Sequence, residues 1–168
     1  VLRAMRRPYS VECFGRLVTS IRARLPHAGI GSDLIIGFPG ETAADAQATV
    51  AFLADSPLTY LHVFPYSDRP GTNATRLPGK VRGAEIRQRA RAVRAVGADL
   101  AARFRASQVG AVRPALTLKD ASGTLAVTDN YLKVRLLAAR PDNERVRVRI
   151  TGADERPTGE VVGSTRSF

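Results

Sequence analysis

The segment Asp33-Leu34-Ile35-Ile36-Gly37-Phe38-Pro39-Gly40-Glu41-Thr42 is answered further along the chain by His62-Val63-Phe64-Pro65-Tyr66-Ser67. Each is a short apolar run that stops at a corner rich in glycine or proline and in polar groups. A helical pattern separates them. This spacing predicts a strand, loop, helix, strand unit with its polar corners at the carboxyl ends of the strands. Barrels and open α/β sheets bind substrates and cofactors at that end.

Outward from this unit the chain keeps α/β punctuation. Ser10 can cap a helix carrying Val11, Phe14, Leu17, Val18, Ile21 and Leu25 at helical spacing, and Pro26 ends it. Cys13, between Val11 and Phe14, is expected to be a small buried hydrophobe. Residues 28–36 read as a buried strand. Thr42 and Asp45 form a capping-box-like start to a helix that turns Ala46, Val50 and Leu53 to the core. Residues 60–64 form the second strand, and the Gly, Pro and polar content of 67–79 predicts a loop.

A long helix is predicted over 83–106, with Ile86, Ala90, Val93, Gly97, Leu100 and Phe104 on one face. Arg82, Arg87, Arg89, Arg91, Arg94, Arg103 and Arg105 take the other, and Glu85 and Asp99 are the acids over 82–107. Positive charge is densest here. From Gln108 alternation replaces helical spacing, with turn signals at Ser122-Gly123, Asp129-Asn130, Pro141-Asp142-Asn143 and Arg156-Pro157. Short strands at this spacing predict a small β-barrel or sandwich. The expected division is 1–107, α/β, and 108–168, all β.

The chain has 168 residues, 44% of them apolar, and 26 Lys and Arg against 15 Asp and Glu, a formal charge of +11. A polyanionic partner fits that balance. Only Lys80, Lys119 and Lys133 are lysines; the preference for arginine suits phosphate forks and base stacking, or reflects a GC-rich genome. With Cys13 the one cysteine, no internal disulfide and no all-cysteine metal or cluster site can form from this chain. It holds neither a membrane-length apolar run nor a signal peptide, so a cytoplasmic location is expected. A start at Val1 inside a basic stretch is expected of a cut end.

In the first corner, Gly40 lets backbone approach a ligand closely, and the amides entering the Thr42 helix are available to an anion. Asp33 and Glu41 bracket the strand and can hold hydroxyls or an amine. The alternative is a tight strand-to-helix turn in which Glu41 favours the helix N-terminus. His62 on its strand is a ligand, a base or a satisfied core residue. No nucleophilic triad assembles, which disfavours conventional hydrolysis. In the β-rich tail, Leu132, Val134 and Leu136 alternate with Tyr131, Lys133 and Arg135. Val146, Val148 and Ile150 alternate likewise with Arg145, Arg147 and Arg149. Two strands with basic outer faces, one carrying an aromatic, form an RNA-binding platform or a solvated face that protects strand edges.

Met5-Arg6-Arg7-Pro8-Tyr9, the 33–42 segment, and His62 to Ser67 continuing to Arg69-Pro70-Gly71-Thr72 together resemble the radical S-adenosylmethionine methylthiotransferases. The tail, entered through Thr128-Asp129-Asn130-Tyr131, resembles the TRAM domain that ends those enzymes. The resemblance implies the second half of a TIM-like radical SAM barrel followed by a small all-β TRAM barrel. Within the family the 62–67 wording is most similar to the MtaB-type branch, which adds a methylthio group to threonylcarbamoyl-modified adenosine beside the tRNA anticodon. The sister branches act on isopentenyl-modified adenosine or on a ribosomal protein. Asp68 departs from a proline common at its position, and Asn73 departs from the pattern too.

The resemblance implies that Asp33, Gly37, Pro39, Gly40, Glu41, His62, Phe64 and Tyr66 line the S-adenosylmethionine side of the barrel. It also implies that the tail contacts the tRNA anticodon arm through Tyr131, Lys133, Arg135, Arg145, Arg147 and Arg149. The complete enzyme uses S-adenosylmethionine and 4Fe-4S clusters held by a CxxxCxxC triplet and three further cysteines. Cys13 matches none of these, so the cluster ligands and the first barrel strands belong to a missing N-terminal half, and this polypeptide alone is expected to be inactive. The rival expectation is a non-catalytic RNA-binding protein that retains a barrel remnant.

Overall fold

The computed structural model describes residues 1–121 and 124–164. The turn expected at Ser122-Gly123 lies outside the described residues. The chain divides into two compact units, Val1–Leu100 and Ala101–Phe168.

In the first unit, α1 (Val11–Arg24) starts at Ser10, whose hydroxyl accepts the Cys13 amide at 3.2 Å, and closes at Leu25. Strand β1 (Gly31–Ile36) runs parallel to β2 (Tyr60–Pro65), with Asp33 opposite His62 and Ile35 opposite Phe64. Between them lies α2 (Ala43–Ala54), opened by the capping box of Thr42 and Asp45. The predicted loop contains a short 3-10 turn at Asn73–Arg76, and α3 (Gly83–Ser107) follows, its residues from Ala101 onward belonging to the second unit.

The core of this unit forms where all three helices meet one face of the sheet. Val18, Ile30, Ile36, Leu53, Leu58, Ala90, Val93 and Leu100 are buried there, with Leu34, Leu61 and Val63 packed against them. Three expectations change. Phe14, Val18 and Ile21 are the α1 residues in contact with the core, so Cys13 and Leu17 fall on the outer side and are exposed. Strand β1 is covered on one face only, which leaves Ile35 exposed. Arg89 does not share the solvated face of α3 but turns inward to Glu41.

In the second unit, β3 (Val112–Thr117), β4 (Leu125–Thr128), β5 (Lys133–Leu136), β6 (Arg145–Gly152) and β7 (Thr158–Ser164) close into a barrel in the order β3-β4-β5-β7-β6. The tail is thus a barrel and not a sandwich. Ala115, Ala126, Val134, Leu136, Val146, Val148 and Ile150 fill it. Gly159 packs where Val148 and Val134 come so close that a Cβ would lie 2.5 and 2.9 Å from their methyls.

Candidate functional site

Seven of the eight residues assigned to a cofactor wall separate into two groups, and Gly40 stands apart from both. Asp33, His62 and Phe64 point away from the helices, on the same exposed face of the β1–β2 sheet as Ile35 and Tyr60. Period-two alternation puts them there, because parallel partners in register share a face. His62 is therefore not a core histidine; its ring meets Tyr60 edge-on at 5.4 Å. Asp33, Phe64 and Tyr66 line one concave region of about 420 Å³, together with Arg7, Phe38 and Arg69.

Tyr66 sits just past the end of β2, its amide bonded to the Ile36 carbonyl at 2.8 Å. Its ring packs edge-on to Phe38 at 5.3 Å, and its hydroxyl donates to Asp68 at 2.7 Å. Lys80 pairs with the same carboxylate and lies 5.4 Å from the centre of the Tyr66 ring. Desolvation, then the bond to Asp68, pushes the Tyr66 phenol up from its ordinary value. Hydrogen bonds from Lys80 and Tyr66 hold the Asp68 carboxyl below its own. Asp68, where the resemblance leads one to expect proline, thus fixes the tyrosine at the rim.

Gly37, Pro39 and Glu41 form the second group and face inward. The Glu41 side chain is 7% exposed and accepts the Gly37 amide at 2.9 Å and the Arg89 guanidinium at 2.9 Å. Arg89, 14% exposed, also donates to the Glu41 carbonyl at 2.9 Å. The carboxylate expected to hold a hydroxyl or amine is committed to protein partners. Several amides around the corner have protein partners too, and at the start of α2 the Asp45 amide donates to the Thr42 hydroxyl at 3.1 Å. Gly40 donates to the Gly79 carbonyl, Glu41 to the Phe38 carbonyl, and Thr42 to the Asp45 carboxylate at 2.8 Å. The corner is a joint between β1, α2 and α3. Gly37, at φ +82°, has α3 so close that a Cβ would lie 2.4 Å from Ile86. Gly40, at φ +85°, is exposed with open space where a Cβ would be, so a ligand can approach its backbone. Sequence reasoning missed Arg89 as the partner of Glu41. Its one local sign is its place directly before Ala90, on the face of α3 that meets the core.

An iron–sulfur cluster does not fit the residues present. Cys13 is exposed on α1, and among the described residues no three His, Cys, Asp or Glu side chains are grouped to hold a metal ion.

On the barrel, Lys133, Arg135, Arg145, Arg147 and Arg149 all point outward, each followed by an inward residue exposed by 3% or less. The two basic strands are not neighbours. On one side β7 intervenes and brings Glu160 to within 3.6 Å of Arg149. On the other, β3 and β4 intervene with an apolar strip. Leu116 lies between Arg145 and Val127, and Val127 pairs in turn with Lys133. Tyr131 precedes β5 in a turn and is 81% exposed.

No family model matches the chain. It is 46% identical over 89 residues to the tRNA-2-methylthio-N(6)-dimethylallyladenosine synthase of Mycolicibacterium vanbaalenii, covering 53% of this chain and 18% of that protein. The match to the Mycobacterium leprae protein of the same name is also 46%. With the ribosomal protein uS12 methylthiotransferase RimO of Salinispora tropica, identity is 44% over 110 residues, 66% of this chain and 22% of that protein. These relatives are methylthiotransferases of two kinds, one named for tRNA and the other for a ribosomal protein. The chain spans well under two thirds of their length. Among the described residues no helix is long and apolar enough to cross a membrane.

Proposed function

We propose that this chain is the carboxyl-terminal part of a cytoplasmic tRNA methylthiotransferase. In this proposal the β1–β2 unit belongs to a TIM-like radical SAM barrel, and the closed barrel is a TRAM-type domain that contacts the anticodon arm. The observation that carries it is the outward row of Arg145, Arg147 and Arg149 on β6, matched by Lys133 and Arg135 on β5, in a chain whose relatives include tRNA-modifying enzymes. Such rows neutralise phosphates and release counterions.

Asp33, Phe64 and Tyr66 would form part of the S-adenosylmethionine wall. Glu41, Gly37 and Arg89 would hold that wall in place without touching the ligand. Cysteine ligands for the clusters come from outside this chain. The substrate we assign is the threonylcarbamoyl-modified adenosine, on the wording of residues 62–67; the names of the relatives favour dimethylallyladenosine or uS12 equally well. Mass spectrometry of tRNA nucleosides and of uS12 from cells lacking the gene separates the three. Loss of the methylthio group from threonylcarbamoyladenosine alone is expected, and loss from uS12 alone would sink the tRNA assignment.

RNA contact is tested on the chain itself. Arg147→Ala should lower tRNA affinity and flatten the plot of log affinity against log salt by about one unit. Arg149→Ala should do less, because Glu160 already competes for that guanidinium. An unchanged slope for both variants would leave these arginines merely solvated.

A further inference from the structure

The backbone at Tyr131 is in the left-handed region, at φ +66°. A residue with a Cβ adopts that region at a cost, and glycine or asparagine normally fills it. Here asparagine occupies the preceding position instead. The aromatic ring gains little packing in return, since the residue is 81% exposed.

The turn that imposes this conformation is heavily determined. Thr128 and Leu132 close it, the Thr128 amide donating to the Leu132 carbonyl at 3.0 Å and the Leu132 amide to the Thr128 hydroxyl at 3.0 Å. The Tyr131 amide donates to the Thr128 carbonyl at 2.9 Å. Beneath it, Thr128, Asn130 and Gln108 are buried and bonded in series. The threonine hydroxyl donates to Asn130 Oδ1 at 2.6 Å, and the asparagine amide donates to Gln108 Oε1 at 2.9 Å. Arg113 grips Asp129 with two bonds of 2.8 and 2.7 Å. Backbone strain maintained by a satisfied buried network, presenting an aromatic to solvent, is the pattern of a preorganised contact.

What surrounds the turn says what the contact is. Strand β5 leaves it carrying Lys133 and Arg135 outward, beside the apolar strip of Val127 and Leu116. Cations with an aromatic and apolar surface bind the backbone and the faces of single-stranded nucleic acid. A duplex offers phosphates but no open base face.

We propose that Tyr131 is a stacking site for an unpaired base of an RNA loop, with Lys133 and Arg135 on the adjoining phosphates. This rests on the RNA-contacting role assigned above and adds to it the class of nucleotide recognised.

The test measures binding of the 168-residue chain to a labelled single-stranded RNA and to a fully paired RNA of equal length, over a range of salt. Tyr131→Gly removes the ring and relieves the backbone, so it should melt no lower than the parent. It should bind the single strand roughly five- to a hundredfold more weakly with an unchanged salt slope, while duplex binding stays the same. Tyr131→Asn, also at ease in this conformation, should repeat the loss, and Tyr131→Phe should retain the affinity. If Tyr131→Gly binds the single strand as well as the parent does, stacking is refuted while the basic surface stands. Equal losses on both RNAs, or a Phe variant as weak as the Gly variant, refute it as well. Absence of salt-dependent binding to either RNA by the parent chain overturns the RNA-contacting role and the stacking site together.

Discussion

In the β1–β2 sheet the residues that alternate away from the helices, Asp33, Ile35, His62 and Phe64, stay exposed. In the barrel the residues that alternate inward, Val134, Val146 and Val148, are fully buried. Both sheets obey the same period-two rule. Five strands close on themselves and make their inner face a core. Two strands cannot, and the face away from the helices is left as a surface. Alternation assigns residues to faces; closure or a covering layer decides whether a face is buried. The open sheet is instead secured from behind, by the helical layer and by a corner in which Glu41, Arg89 and Gly37 join three elements.

The widest separation between the two regions is expected from removing half of the buried ion pair. Arg89→Met leaves the Glu41 carboxylate buried without its cation and should destabilise the first unit by about 3–5 kcal/mol, read by urea unfolding. Adding Glu41→Gln to that variant should recover part of the loss. A cost below about 1 kcal/mol would show that the corner does not hold the sheet.

A pair of isoleucines tests the comparison directly. Ile150→Ala, in the barrel core, should cost about 2–5 kcal/mol. Ile35→Ala, on the open face at 37% exposure, should stay within about 0.5 kcal/mol. Similar costs for the two would mean that the open face is covered in solution.

Glycines sharpen the account of the corner. Gly37→Ala meets both the left-handed backbone and Ile86, whereas Gly40→Ala meets the backbone alone. The second should cost about 1–2 kcal/mol and the first clearly more, by thermal unfolding. Equal costs would show that α3 gives way at Ile86.

The smallest effect belongs to the α2 cap. Hydrogen bonds from the Thr42 hydroxyl and amide hold the Asp45 carboxyl below its ordinary value. Its contribution is therefore present above the ordinary aspartate range and disappears as pH falls through the depressed folded value. Thr42→Ala should cost about 1 kcal/mol at neutral pH. Asp45→Asn should flatten the acid limb of the melting curve, and an unaltered limb would assign that limb to other carboxylates.

Much of the molecule is legible in its residues. The Thr42–Asp45 box, the start of α1 at Ser10 and the reach of α3 can each be read because local hydrogen bonding and helical spacing dictate them. So can the outward placement of the β5 and β6 cations, since alternation is a local property. Cys13 is different, because helical spacing admits two adjacent stripes on α1 and only packing chooses between them. The corner is different too. Glycines and a carboxylate next to a helix start have one appearance in sequence, whether they meet a ligand or another helix.

By itself the sequence determined the helices, the first two strands, the faces of β5 and β6, the excess of positive charge and the lack of cysteines for a cluster, all of which follow from local periodicity and side-chain chemistry. The tertiary structure decided what long-range contact alone can decide. It carried Arg89 across 48 positions to Glu41, occupied several corner amides and divided the candidate wall into exposed and buried members. It also closed five strands into a barrel and fixed Tyr131 in a strained, outward pose. Burial and partnership belong to residues distant in the chain, and no local pattern encodes them.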